Sequence, residues 1–264
     1  MKTALITGAY GGMGRATALK FKELGYTVFA LDKQVGEGED GIYPIQTDVT
    51  SEASVRAAYE RVTEESTEID VIVHFAGIYM LDSLVEMDCR DFRRIFEINL
   101  FGVYLVNKIF LPALRKDGGK IVITTSELAP LDPLPFTGVY AVSKAALDKY
   151  AYSLRMELQL LGIGVSVLRA GAVDTEMISA STVALRNFCE KTELYKCNSK
   201  RFEGIVNGVE ARRVSPTKIA AKIAKIASRS KPKFAYGINR NPFLLILNLL
   251  PRRFQFFIIR RILS

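Results

Sequence analysis

The chain has 264 residues, 49% hydrophobic and 24% charged, and a net charge of +8; this balance excludes a disordered polypeptide and fits one α/β domain of generous size. The charge is uneven, because residues 211–264 hold thirteen Lys or Arg and no Asp or Glu, which leaves residues 1–210 at −5. That distribution argues against nucleic-acid binding by the body and points to a C-terminal segment that meets an anionic surface.

Taken in chain order, residues 2–7 read as a strand, 14–24 as a helix and 27–32 as a second strand, which together make a βαβ unit. The opening residues run directly into that first apolar strand and leave no room for the regions of a signal peptide, so a cytoplasmic location is expected. The alternation continues with a short strand near 42–46, a helix near 51–66, a strand at 71–76 and a long helix within 91–115. A strand at 120–126, a helix at 138–161 and a strand at 165–170 follow. Apolar strands without in/out alternation, separated by helices, imply a parallel sheet covered on both faces, hence a doubly wound Rossmann fold. From about 174 to 215 no strong period is visible, and an irregular lid or binding loop is expected before a helix resumes at 216–229. The domain reading is a dinucleotide-binding and catalytic unit over 1–235 and a C-terminal extension over 236–264.

Cys89, Cys189 and Cys197 show neither a CxxC nor a His-bearing spacing, so neither a disulfide framework nor a metal site is expected. The chemistry lies elsewhere. Between the first strand and the first helix stand Thr7, Gly8, Ala9, Tyr10, Gly11, Gly12, Met13 and Gly14. Glycines there permit a tight turn and let a pyrophosphate approach backbone N–H groups at a helix N-terminus. The second strand ends in Asp32, where a carboxylate accepts hydrogen bonds from an adenosine ribose and repels a 2′-phosphate. NAD is therefore the expected cofactor, with NADP left open by the basic neighbours Lys33 and Arg15.

The spacing Thr7-Gly8-x-x-x-Gly12-x-Gly14, followed in order by Asn99, Ser126 and Tyr140-Ala141-Val142-Ser143-Lys144, resembles the classical short-chain dehydrogenases/reductases over residues 2 to about 175. The residues support that likeness on their own chemistry. Tyr140 and Lys144 are four apart on an expected helix and share a face, so the ammonium is expected to bring the phenol down from about 10 toward neutrality. Tyr140 then serves as general base in oxidation and general acid in reduction. Ser126 lies at a strand's C-terminal end, where open α/β sheets bind ligands, and its hydroxyl is placed to hold a substrate oxygen. The resemblance implies that Asn99 binds a water linking Lys144 to solvent. It also implies an adenine contact at Asp48 and Val49, a cofactor floor at Ala76 and Gly77, and further contacts at Val173 and Thr175.

Three departures from the family pattern stand out. Where Asn-Asn-Ala-Gly is usual the chain reads His74-Phe75-Ala76-Gly77, and His74 is expected to make a structural hydrogen bond to a neighbouring strand, since Tyr140 already supplies the base. Ala170-Gly171 replaces Pro-Gly. Ser126 precedes Tyr140 by fourteen, one more than usual, which leaves Thr125 as the lesser candidate for the catalytic hydroxyl.

Leu128, Leu131, Leu134 and Phe136, with Met177, Ile178, Val183, Leu185 and Phe188 of the lid, offer an apolar substrate pocket, while Glu127 faces either a polar substrate group or solvent. The chain resembles the hydroxysteroid- and retinol-type members, which implies a steroid or other lipid-like secondary alcohol or its ketone as the small-molecule substrate. Two rivals are an NAD-binding sensor without turnover and an NAD-retaining epimerase or dehydratase. Residues 241–261 interleave apolar runs with Arg252, Arg253, Arg260 and Arg261, and neither run reaches the roughly 20 residues of a membrane-spanning helix. Peripheral contact with a membrane and packing over the pocket or a subunit both remain open for this tail. The resemblance also implies a homodimer or homotetramer formed through the long helices at 91–115 and 138–161.

Overall fold

The computed structural model describes residues 2–210 and 213–264, with side chains omitted at 176–180 and 207–210. Seven parallel strands form one sheet in the order β3-β2-β1-β4-β5-β6-β7. They are β1 (Lys2–Thr7), β2 (Tyr26–Asp32), β3 (Ile42–Gln46), β4 (Val71–His74), β5 (Lys120–Thr124), β6 (Gly164–Ala170) and β7 (Ala235–Ile238). The chain winds outward from β1 through β2 to β3, then returns to lay β4 on the other side of β1. The crevice for a ligand therefore opens beyond the carboxyl ends of β1 and β4.

Both faces of the sheet are covered, which explains why the strands read as continuous apolar runs. On one face Leu5, Ile72, Ile121 and Ile123 pack against α2 (Glu52–Glu65), α4 (Gly102–Phe110) and α5 (Gly138–Leu158) through Val55, Val62, Val106, Phe110, Leu147 and Ala151. On the other, Ala4, Ile6, Val73 and Val122 meet α1 (Gly12–Glu23) and α8 (Pro216–Ala227) through Ala18, Phe21, Ile219 and Ile223. The helix expected within 91–115 is compound: α3 (Cys89–Phe96) passes through a π turn (Glu97–Phe101) into α4.

Two expectations need correction. The stretch 174–215 is not an irregular loop, since it forms α6 (Glu176–Lys191) and α7 (Lys196–Glu210). These helices bury Leu185, Phe188 and Phe202 with Phe136, Leu81 and Leu263 in a satellite core of their own. Leu185 and Phe188 are thus core residues and not pocket walls, Val183 is exposed, and the side chains of Met177 and Ile178 lie outside the described residues. β7 was not anticipated as a strand; it pairs with β6 and runs from Ala235 to Ile238, across the boundary at 235/236 where the extension was expected to begin. Beyond it come α9 (Pro242–Leu249), capped by the Asn241 side chain on Phe243 N at 2.9 Å, and α10 (Arg252–Leu263).

Candidate active site

A groove of ≈ 660 Å³ runs over the β1–α1 turn and the ends of β2, β3 and β4. Gly8, Tyr10, Gly11, Gly12, Met13, Gly14, Asp32, Lys33, Asp48, Val49, Ala76, Gly77 and Thr175 all line it. The turn leaves no room for a side chain at Gly8 or Gly14. Gly8 has φ +66°, and a Cβ on it would sit 2.5 Å from Ala76 N; a Cβ on Gly14 would sit 2.0 Å from Gly8 O. Such a bare backbone cradle at a helix N-terminus suits a dinucleotide's phosphates.

Asp32 accepts from Tyr10 N at 2.9 Å, which fixes its carboxylate at the groove. Lys33 is tied to Asp48, Nζ to Oδ2 at 2.8 Å. The bonds from Lys33 and Thr50 hold the Asp48 carboxyl down at about 2. Sequence reasoning missed Tyr79, Phe75, Ile78, Arg94 and Glu97 in this wall. Tyr79 carried a positional hint, two residues past Ala76-Gly77, whereas Arg94 and Glu97 enter only because the π turn sets how α3 meets the groove.

Beside the groove lies a smaller cavity of ≈ 170 Å³, and Met13, Tyr79 and Thr175 border both. Ser126 and Tyr140 face this cavity and are joined by a side-chain hydrogen bond. Thr125 instead donates to Asp148 Oδ1 at 3.2 Å, and Asp148 holds Arg169 in a two-pronged ion pair. The extra residue of spacing thus leaves Ser126, and not Thr125, facing the tyrosine. Val173 lines the cavity and not the groove. Leu128 and Leu134 are in the wall as expected, together with Phe202, Ile205, Val206 and Leu244; Phe136 belongs to the satellite core.

Lys144 is buried, its Nζ 5.8 Å from the Tyr140 ring centre and 3.4 Å from Thr124 O, to which it donates. Asn99, carried on the π turn, accepts from Ile78 N at 2.8 Å and donates to Ile78 O at 3.0 Å and Ser143 Oγ at 3.1 Å. It locks the groove floor to α5, and π turns recur where a helix must present such a group. A Cβ on Gly77 would lie 3.1 Å from Asn99 Oδ1 and 3.5 Å from Lys144 Nζ, so the two groups converge there.

The expected lowering of the phenol is reversed. Burial pushes Tyr140 up to about 12, the bond with Ser126 pulling it partly back and the charge of Glu127 adding to the rise. Burial also brings Lys144 down to about 8, since loss of hydration disfavours the charged form of each group.

Glu127 does not face solvent: it is buried on the cavity wall beside Ser126, and its carboxylate accepts from Asn241 N. His74 is buried too. Its Nε2 meets Asn107 Oδ1 at 2.9 Å and its Nδ1 lies 3.5 Å from Thr7 Oγ1, a structural role that reaches a helix as well as the neighbouring strand. Among the described residues no cluster of His, Cys, Asp or Glu could hold a metal.

A family model described as short chain dehydrogenase matches residues 2–184. A 3-ketodihydrosphingosine reductase of Bacteroides thetaiotaomicron is 30% identical across 87% of this chain and 85% of its own length. An NADPH-dependent 1-acyldihydroxyacetone phosphate reductase of Schizosaccharomyces pombe is 34% identical across 67% of this chain and 62% of its own length. Among solved structures, the ligand-free aldohexose dehydrogenase of Thermoplasma acidophilum superposes with a TM-score of 0.74 at 26% identity, covering 90% of this chain and 92% of that one.

Proposed function

The chain belongs to the short-chain dehydrogenase/reductase family and is an NAD(P)-dependent oxidoreductase of alcohols and ketones, and from that premise we propose a lipid-like secondary alcohol or ketone as substrate, with Tyr140 as the proton-transfer residue. One observation carries this reading: Tyr140 and Ser126 face an apolar-walled cavity at the seam where it meets the glycine-lined groove. The groove fits a nicotinamide dinucleotide, because its glycines leave backbone N–H groups bare where phosphates bind. That cofactor, when bound, supplies or takes up the hydride.

The chain's own residues handle the proton. Tyr140 holds it at the phenol oxygen and gives it to the substrate oxygen in reduction, or takes it back in oxidation. Ser126 steadies the same substrate oxygen, and Lys144 and Asn99 converge at Gly77 in the groove floor beside Tyr140. Tyr79, whose ring centre is 4.8 Å from that of Tyr140, walls the site against water. The two lipid-reducing relatives favour a lipid-like substrate here, and they weigh against a sensor without turnover and against an epimerase.

For the cofactor, Asp32 favours NAD, because a carboxylate at the end of β2 accepts from ribose hydroxyls and repels a 2′-phosphate; the yeast relative is NADPH-dependent. Asp32→Ala is expected to shift the ratio of the two efficiencies toward NADP, and an unchanged ratio refutes the assignment. Members of the family are commonly oligomeric; a homodimer or homotetramer through the long helices at 91–115 and 138–161 is proposed here, where Phe101, Tyr104, Tyr152 and Met156 are exposed. A cytoplasmic location, with or without membrane association, completes the reading.

The test follows cofactor absorbance with NAD or NADP against steroid, retinoid, long-chain keto and sugar substrates. Turnover with an apolar substrate is expected. Tyr140→Phe should abolish that turnover and preserve cofactor binding; a Tyr140→Phe protein that retains activity overturns the proton-transfer role.

A further inference from the structure

The C-terminal helices present a surface that the proposed reaction leaves unused. α9 turns Leu244 into the cavity wall and leaves Phe243 78%, Ile246 58% and Leu249 83% exposed. α10 buries Gln255 and Leu263, and Asn198 of α7 donates to Leu263 O at 2.8 Å. Its other side leaves Phe254 61%, Phe256 67% and Phe257 68% exposed, interleaved with Arg253, Arg260 and Arg261. Residues 242–264 contain no Asp or Glu, and among the described residues no carboxylate pairs with those three arginines.

Aromatic rings displayed on a rigidly anchored helix pair are costly in water, and large apolar patches mark interaction sites. Arginines among them narrow the partner to one that is apolar and anionic together. We propose that the α9–α10 face docks this protein on the surface of an anionic lipid bilayer, its Phe and Leu side chains entering the headgroup boundary and Arg253, Arg260 and Arg261 meeting lipid phosphates. A second copy fits poorly, because a symmetric pairing of this face would set arginines against arginines with no carboxylate from either side to neutralise them. The helix Cys89–Ala113 is long and apolar enough to span a membrane, but half of it is buried in the fold, with Asn99 and Asn107 turned inward. The contact is therefore peripheral. The same helix that bears Phe243 and Leu249 closes the cavity, so a lipid-like substrate would pass between bilayer and cavity at α9; that last step rests on the proposed activity, whereas the docking does not.

Vesicle flotation reads the docking without turnover, so the two ideas fail separately. Vesicles of phosphatidylcholine mixed with phosphatidylserine should carry the full chain to the top of a gradient, vesicles of phosphatidylcholine alone should carry much less, and added salt should release it. Arg253→Gln, Arg260→Gln and Arg261→Gln are each expected to weaken binding roughly fivefold. Phe254→Ser with Phe257→Ser should abolish it at an unchanged melting temperature. The chain has no Trp, so Phe257→Trp supplies a single reporter whose emission should shift to the blue as anionic vesicles are added. Absence from the floated fraction with phosphatidylserine, or flotation with no emission shift, overturns the proposal. So does a solution mass that falls in the Phe254→Ser, Phe257→Ser protein without vesicles, because a second copy would then cover this face.

Discussion

His74 lies in the core between Thr7 on one strand and Asn107 on α4, and Asn107 in turn donates to Tyr150 OH at 3.2 Å on α5. Burial pushes its pKa down to about 4 although the Asn107 bond works the other way. In the unfolded chain an imidazole titrates near 6.5, so below that value the unfolded state binds a proton that the folded state resists. The stability that His74 contributes is therefore fully present above about 6.5 and is lost as the pH falls toward about 4, by up to about 3 kcal/mol. His74→Asn removes the titrating group and should flatten this acid limb; urea midpoints of the two proteins at neutral pH and near pH 5 give the comparison, and parallel losses would assign the acid sensitivity elsewhere. Tyr140 imposes a sign of its own on catalysis. Its phenol, held up at about 12, is protonated at neutral pH and ready to act as the acid, whereas oxidation needs the minor deprotonated form. The kcat/KM for oxidation should climb with alkaline pH while that for reduction does not, and an oxidation profile that falls across this range contradicts the assignment.

At the scale of elements, the β1–α1 turn is among the tightest constraints in the described residues. Gly14→Ala would drive a methyl group into Gly8 O, and its three nearest contacts, to Gly8 O, Gly8 C and Ala9 Cα, are all backbone. The expected cost is about 2 kcal/mol or more, with cofactor affinity lost alongside the fall in melting temperature. This turn was legible in the sequence because glycine is chosen there by geometry that other residues cannot meet. Strands β1, β4, β5 and β6 were legible for a different reason: burial on both faces leaves an unbroken apolar run. α6 and α7 escaped notice because they pack on one another, on α10 and on Leu81 and Phe136 instead of on the sheet, so their apolar positions fall outside the strand–helix alternation that marks the rest of the chain. β7 is four residues long, carries Gly237 and is only partly buried, which leaves no alternation and no apolar run to read. The π turn at Glu97–Phe101 adds a residue to one turn of a continuous helix and shifts the period without interrupting it. Nor could spacing reveal that desolvation would lift the Tyr140 phenol, since that depends on how completely both members of the Tyr140–Lys144 pair leave water.

Across the whole molecule, the C-terminal helices are bolted to the active-site loop from two sides. Glu127, next to Ser126, accepts from Asn241 N at the start of α9. Asp132, farther along the same loop, donates its N–H to Asn248 Oδ1 at 2.6 Å and receives Arg252 at 3.1 Å and Gln255 at 3.3 Å on its carboxylate. Leu244, held between these two anchors, closes the substrate cavity, whereas the groove lies on the far side of Met13, Tyr79 and Thr175. The molecule is thereby divided into a cofactor half and a substrate half that share one seam. Asp132→Ala removes the carboxylate contacts of the outer anchor to Arg252 and Gln255 at a half-exposed position and keeps the N–H bond to Asn248, so the fold should survive with a loss of about 1 kcal/mol or less. The consequence should fall on one half alone: KM for an apolar substrate rises as the α9 wall loosens, while kcat at saturation and the dissociation constant for the dinucleotide stay near those of the parent protein. Steady-state kinetics with a parallel cofactor titration separate the two halves. If cofactor affinity falls as KM rises, the α9 wall and the groove are mechanically one unit, and the C-terminal helices serve the fold as a whole instead of the substrate side.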